Sequence, residues 1–270
     1  IQTGKNSQAS FHFFNSRDQL DNTTSTAFEV PTFHPIFVQQ EYTSIDVWKN
    51  LGVSAAYDIS LSDKNTLHLN AFRSTFDKEF SYTSLYEEMR KGIDRSIYNS
   101  GTQQNELTTF GSKGFVEHKS NVRSGYTYGI EYQEHDVDFT ARENNDPYLS
   151  LTQKETESSF FGEYTNSLWQ NIHWAAGSRF TYLQSTSTMY ALPNLRLDYA
   201  ITDHYSIRTS FSKNLQSVRA LTVQDKFGRE LDYLVLSEPA QNFPVLKSNK
   251  YMIGAGYSTT FLSVDVEWYY

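Results

Sequence analysis

Cysteine is absent from the chain. That excludes a disulfide framework and any metal site built on thiolates. No stretch approaches the roughly eighteen apolar residues that a membrane-crossing helix needs. Proline and glycine number only 6 and 13 in 270 residues, which excludes collagen-like and low-complexity classes. Basic residues do not dominate: the net charge is −8 and the pI about 5.4, so nucleic acid is not an expected partner. Phosphate-binding glycine loops, dinucleotide fingerprints and the G-x-S-x-G elbow are missing, and no two histidines form H-x-x-x-H. The opening Ile1–Lys5 is polar rather than signal-like. With no initiator methionine and a strand-like run at Glu267–Tyr270, residues 1–270 read as one segment of a longer polypeptide.

What the chain does have is aromatic residues, 16% of the total, with 19 Tyr and 19 Phe against 3 Met. This enrichment suits strands and membrane-interface girdles. A mean hydropathy of −0.57 gives a soluble impression, but averaging hides alternation. In Ile172–Tyr182, Ile172, Trp174, Ala176, Phe180 and Tyr182 alternate with His173, Ala175, Gly177, Arg179 and Thr181. That period of two is the pleat of a strand with unlike faces. Leu195, Leu197, Tyr199 and Ile201 repeat it against Asn194, Arg196 and Asp198, and Tyr205, Ile207 and Phe211 against Ser206, Arg208 and Ser210. Similar runs lie at 10–14, 51–59, 67–72, 104–116, 126–133, 160–164, 251–257 and 262–268. About eleven strands result, each of roughly ten to fifteen residues, longer than a globular strand and long enough to cross a bilayer at a tilt.

The connections sort by length. Short turns are expected near 62, 119, 168, 203 and 260, and longer loops near 30, 90, 146, 186 and 230. Asn15–Asp46, Phe139–Gln153 and Leu215–Ser248 read as loop, and so does Glu79–Gly101, where Ser84 and Glu87 form a capping box for one or two helical turns. In an up-and-down antiparallel meander the short turns share one end. This is the asymmetry of an outer-membrane barrel, with short periplasmic turns and long extracellular loops. A β-sandwich has no reason to sort its loops so. Trp169, Tyr199, Tyr205 and Phe261 lie near the short turns, as a girdle requires.

In such a barrel Trp174, Phe180, Leu197, Tyr199, Ile207 and Val264 face lipid. Glu131, His173, Arg179, Arg196, Asp198, Arg208, Asp265 and Glu267 line the lumen. A soluble sandwich swaps the two sets; strand length and loop sorting favour the barrel. Arg219, Asp225, Arg229, Asp232 and Tyr233, in the longest connection, are the candidate substrate contacts, because outer loops meet cargo first. No catalytic residue, cofactor or metal is expected. Glu134, His135, Asp136 and Asp138 are the densest acidic and histidine group, but neighbours on a strand point opposite ways. Glu143–Asp146 lacks the glycine and closing glutamate of a calcium loop.

The run Leu192-Pro193-Asn194-Leu195-Arg196-Leu197-Asp198-Tyr199-Ala200-Ile201-Thr202-Asp203-His204-Tyr205-Ser206-Ile207-Arg208-Thr209-Ser210-Phe211-Ser212-Lys213-Asn214 resembles a barrel hairpin of the TonB-dependent outer-membrane receptors. In that family a proline opens a P-x-L-x-L-x-Y strand, a T-D turn follows, and an S-F-S strand leads into a large outer loop. Phe160–Gly177 resembles the preceding hairpin and Pro244–Tyr257 the next, although Pro244 stands one residue farther from Ser248 than usual. The resemblance covers most of the chain, most closely Glu155–Tyr270. It implies part of a plugged barrel of roughly twenty-two strands, whose plug and remaining strands lie elsewhere. A half barrel leaves open edges in lipid, so the wall must be completed by more of the polypeptide or by another chain. The implied function is active import of a scarce bulky nutrient, such as a siderophore, corrinoid, glycan or peptide. The implied partners are outer-membrane lipid, the nutrient and the TonB complex, which acts through the plug. A passive porin-like channel and a soluble all-β carbohydrate-binding module are the competing readings.

Overall fold

Alternating side chains become hydrogen-bonded strand over nearly the whole chain in a computed structural model, which describes all residues except 1, 5, 32–35, 91–92, 170, 225–229 and 239–242. The strands are β1 (Gln2–Gly4), β2 (Ser7–Val30), β3 (Ile36–Ser62), β4 (Asn65–Arg90), β5 (Ile93–Lys119), β6 (Ser124–Glu143) and β7 (Asp146–Leu168). They continue with β8 (Ile172–Leu183), β9 (Thr188–Ala200), β10 (Tyr205–Gln216), β11 (Val218–Gln224), β12 (Glu230–Leu236), β13 (Leu246–Ser258) and β14 (Ser263–Tyr269). Each strand of the main sheet pairs antiparallel with the next in chain order, from β1 to β10 and then β13 and β14. Apart from the three-residue β1, this is an up-and-down meander of eleven strands. β11 and β12 form a separate hairpin between β10 and β13.

The tight turns fall where the sequence places them, and local side chains close them. Ser62 Oγ accepts from the backbone N–H of Lys64 and Asn65 at 3.3 and 3.2 Å. Asn121 Oδ1 accepts from Arg123 N at 2.7 Å. Thr202 Oγ1 accepts from His204 N and Tyr205 N at 3.2 and 3.1 Å, and Thr259 Oγ1 from Leu262 N at 3.2 Å. Short polar side chains of this kind satisfy turn N–H groups that no strand reaches.

At the other end the structure departs from the expected loops. Most of Asn15–Asp46 is strand: β2 and β3 stay in register from Ser7↔Ile59 to Val30↔Ile36. Glu79–Arg90 contains no helical turn; Ser84 pairs with Tyr42 on one side and Asn99 on the other. Phe139–Gln153 is the top of the β6–β7 hairpin, closed by Asn144 and Asn145 with φ of 48° and 70°. Asparagine tolerates that left-handed conformation, which a two-residue hairpin loop demands. Beyond the apolar rows one face turns charged and the opposite face carries a local cluster around Phe80 and Phe139, so hydrophobic alternation fades while backbone pairing continues. Strands β2–β7 consequently reach 20–27 residues, whereas β8, β9, β10 and β13 have 12 or 13.

The register divides the side chains cleanly, because directly paired residues share a face. One row of Cα partners runs Tyr57, Leu69, Gly114, Ile130, Phe160, Phe180. It belongs to an apolar face on which Ile130, Phe160 and Val266 are 69%, 58% and 67% exposed. Near the tight turns this face carries close aromatic contacts: Tyr126–Tyr164 at 4.7 Å, Tyr164–Trp174 at 5.3 Å and Tyr205–Tyr257 at 4.9 Å. Farther up β6 it turns charged at Glu134, Asp136 and Asp138, where Lys154 reaches Glu134 at 2.7 Å and Asp136 at 3.7 Å. The buried apolar cluster of the described residues lies on the opposite face. It comprises Phe80, Tyr82, Phe139, Ala141 and Tyr233, flanked by Tyr42 and Leu151.

Candidate functional site

Paired strands carry all eight expected lumen residues to one face. Glu131 pairs with Ser159 and that with Thr181, two residues from Arg179 on β8. His173 pairs with Asp198, Asp198 with Arg208, and Gly254 links Arg208 to Glu267. Arg196 and Asp265 fall at the same parity. The six residues expected to face lipid, Trp174, Phe180, Leu197, Tyr199, Ile207 and Val264, all lie on the other face.

The polar face carries short ion pairs. Arg179 Nη1 meets Glu131 Oε2 at 2.9 Å, Arg196 Nε donates to Asp198 Oδ2 at 2.7 Å, and Arg208 Nη2 reaches Asp265 Oδ1 at 2.9 Å. Arg208 Nη1 also stands 3.8 Å from Glu267. His173 Nδ1 is 2.7 Å from Ser167 Oγ. Lys113 lies 4.8 Å from the centre of the Phe161 ring and 5.1 Å from that of Phe115. Gly129 sits between those two rings in the ladder, where a Cβ would collide with the Gly114 carbonyl and Phe115.

Above these pairs the β11–β12 hairpin folds onto the same face of β5, β6 and β7. Asn105 and Gln153 hold it, and both are almost fully buried. Asn105 Nδ2 donates to Leu234 O at 3.0 Å while its Oδ1 accepts from Leu234 N at 2.7 Å. Gln153 Nε2 donates to Leu236 O at 3.4 Å while its Oε1 accepts from Leu236 N at 2.9 Å. Lys78 Nζ donates to Asp232 O at 3.3 Å. The Tyr233 ring packs 4.5 Å from Phe139. At the base of the hairpin Ser217 Oγ donates to Glu157.

Of the candidate substrate contacts, Tyr233 is buried in this joint and Asp232 is exposed, accepting from Thr222 Oγ1 at 2.6 Å. Arg219 is half-buried, its guanidinium 5.0 Å from the centre of the Phe243 ring. Asp225 and Arg229 lie outside the described residues. Sequence reasoning missed Lys78, Asn105 and Gln153. Their only signal is parity: each shares a strand face with residues of the polar wall.

His135 stands apart from the acids beside it in sequence. It points to the polar face, with Nδ1 3.0 Å from Thr109 Oγ1 and Nε2 3.8 Å from Glu157, whereas Glu134 and Asp136 meet Lys154 on the other face. Burial pushes its imidazole below the usual value, and the carboxylates of Glu157, Glu155 and Asp136 offset part of that shift. Buried Glu155 accepts the N–H of Thr156 and Ser185 at 3.0 and 3.1 Å, pinning the β8–β9 turn to β7.

Comparison with curated proteins gives no match. Among solved structures the chain is similar to the ferric enterobactin receptor PfeA from Pseudomonas aeruginosa, at 10% identity and a TM-score of 0.51, over 100% of this chain and 54% of the receptor. It is also similar to the RagAB peptide importer in its closed-closed state, at 10% identity and a TM-score of 0.52, over 98% of this chain and 42% of that one. The chain thus spans about half the length of the structures it matches. At such identities these likenesses establish the fold alone. The family model described as "TonB dependent receptor-like, beta-barrel" matches residues 2–270. The chain therefore belongs to the TonB-dependent receptor-like β-barrel family of the outer membrane.

Proposed function

We propose that residues 1–270 are a single barrel segment that supplies wall and outer capture surface to an active importer of a bulky nutrient. The cargo class is a siderophore, corrinoid, glycan or peptide; the ferric enterobactin receptor and the peptide importer that share the fold support the first and the last. Energy reaches it from TonB through a plug carried elsewhere in the polypeptide. The segment performs no covalent chemistry. Its apolar face, with Trp174, Phe180, Leu197, Tyr199, Ile207 and Val264, contacts lipid. Its polar face, with Glu131, His173, Arg179, Arg196, Asp198, Arg208, Asp265 and Glu267, lines the interior. Arg219 and Asp232, with Tyr233 where the hairpin lifts, meet cargo at the outer mouth.

One observation carries this reading. An eleven-strand sheet exposes apolar rows on one face and ion pairs on the other, while its tallest strands continue past the apolar belt. A soluble module would bury those apolar rows against a second layer. The test is uptake by the full-length receptor in a Gram-negative host. Accumulation of labelled nutrient should stop when either the receptor or TonB is removed. Uptake that persists without TonB indicates a passive channel and overturns the proposal.

A further inference from the structure

Among the described residues, strand β12 pairs with β11 along one edge and with no strand along the other. Its other edge presents the backbone groups of residues 232, 234 and 236, since alternate residues of a strand point to alternate edges. Left bare, such an edge is a template for another strand. Here the wall answers each position with a side chain from a different strand: Lys78 of β4, Asn105 of β5 and Gln153 of β7. Two of these contacts are two-pronged, a carboxamide supplying the donor and acceptor that a neighbouring strand would supply.

These contacts read main chain, not side chains. Any extended segment offers the same N–H and C=O pair at every second residue. The readers belong to strands of the main sheet, so they are in place whether or not β12 is present. Side-chain selectivity comes from the aromatic slot: Tyr233 enters between Phe80, Tyr82 and Phe139, one residue before the position that Asn105 reads. Val235 and Leu236 follow it into burial.

We propose that this groove on β4–β7 is a binding site for an extended peptide, with β12 as its resident competitor. The site takes an aromatic residue followed by aliphatic ones. It rests on the reading of the polar face as the interior of an importer, and it narrows the cargo, or part of it, to peptide.

The experiment uses the full-length receptor in detergent micelles, with residues 219–237 replaced by a short Gly-Ser linker. The ladder of β10 with β13 still closes at Gln216↔Leu246. A fluorescent peptide copied from residues 230–238 is the probe. The shortened receptor should bind it about tenfold or more tightly than the intact receptor does, because the competitor is gone. Asn105→Ala with Gln153→Ala should erase that gain. So should N-methylation of the probe at the leucine matching Leu234, which removes the N–H that Asn105 accepts. A second variant keeps the hairpin and only weakens it, Tyr233→Ser with Leu236→Ser, and should show the same gain. If both variants fold as barrels and neither binds the probe, or both bind the N-methylated probe equally well, the site does not exist. Failure of the importer reading looks different: nutrient uptake would be independent of TonB whatever the probe does. A receptor that imports nutrient under TonB control but ignores the probe sinks the peptide site alone.

Discussion

The carboxamide of Asn105 and the peptide group of Leu234 are paired at both ends, at 3.0 and 2.7 Å, although 129 residues separate them in the chain. Asn105→Leu keeps the branched shape but leaves that edge of β12 unanswered in a buried place. The expected penalty on hairpin docking is about 1–3 kcal/mol. Protease cleavage within residues 218–236 of the full-length receptor should accelerate accordingly, while cleavage elsewhere is unchanged. Unaltered cleavage would mean that the aromatic slot alone holds the hairpin.

Phe180 and Arg179 are neighbours on β8 that point to opposite faces. Phe180 stacks on Phe160 at 5.3 Å within the apolar rows. With Phe180 facing lipid as proposed, Phe180→Arg should cost about 2–4 kcal/mol and deplete folded receptor from outer-membrane fractions. Arg179→Gln, on the wet side, should leave assembly intact. Equal effects of the two substitutions would contradict the assignment of faces.

Gly129 lets the rings of Phe115 and Phe161 approach to 6.4 Å across it. A side chain there meets the Gly114 carbonyl, part of a rigid ladder that cannot step aside. Gly129→Val is expected to lower the thermal unfolding temperature of the barrel through about 1–3 kcal/mol of strain. Gly52→Ala, where the only contact is ordinary van der Waals distance to Phe14, should be nearly silent.

His135 gives the upper wall a pH dependence of definite sign. Its folded value is depressed, chiefly by burial. Below about pH 6.5 the unfolded state therefore holds more protons than the folded one. The stabilisation is complete above that pH and is lost as pH falls through the lowered folded value. Thermal unfolding scanned from about pH 8 to about pH 5 should show a decline that is smaller in His135→Gln. A steeper decline in the variant would reverse the assignment.

The tight turns, the strand count and the division of faces were legible in the sequence, because one wall of each crossing is apolar and the other is not. Trp174, Leu197 and Ile207 on one side, and His173, Arg196 and Arg208 on the other, follow from alternation alone. The tall strands did not announce themselves. Between Asn15 and Asp46, and again between Glu79 and Gly101, polar residues interrupt the alternation, and the buried Phe80 and Tyr82 cluster with Tyr233 of the distant β12 rather than sit in a regular apolar row. Ser84 and Glu87 imitate a helix start there, but β3 and β5 claim their backbone first. Asn105 and Gln153 were illegible for another reason: their partner is main chain, which has no sequence signature.

The pairing of Gln216 with Leu246 completes the β10–β13 ladder with no help from anything between them. The β11–β12 hairpin therefore departs from a ladder that is already closed, yet the wall is fitted to it, with Asn105 and Gln153 answering the main chain of Leu234 and Leu236. A change of insert is expected to leave the β10–β13 ladder closed while taking from the wall the partner that Asn105 and Gln153 hold.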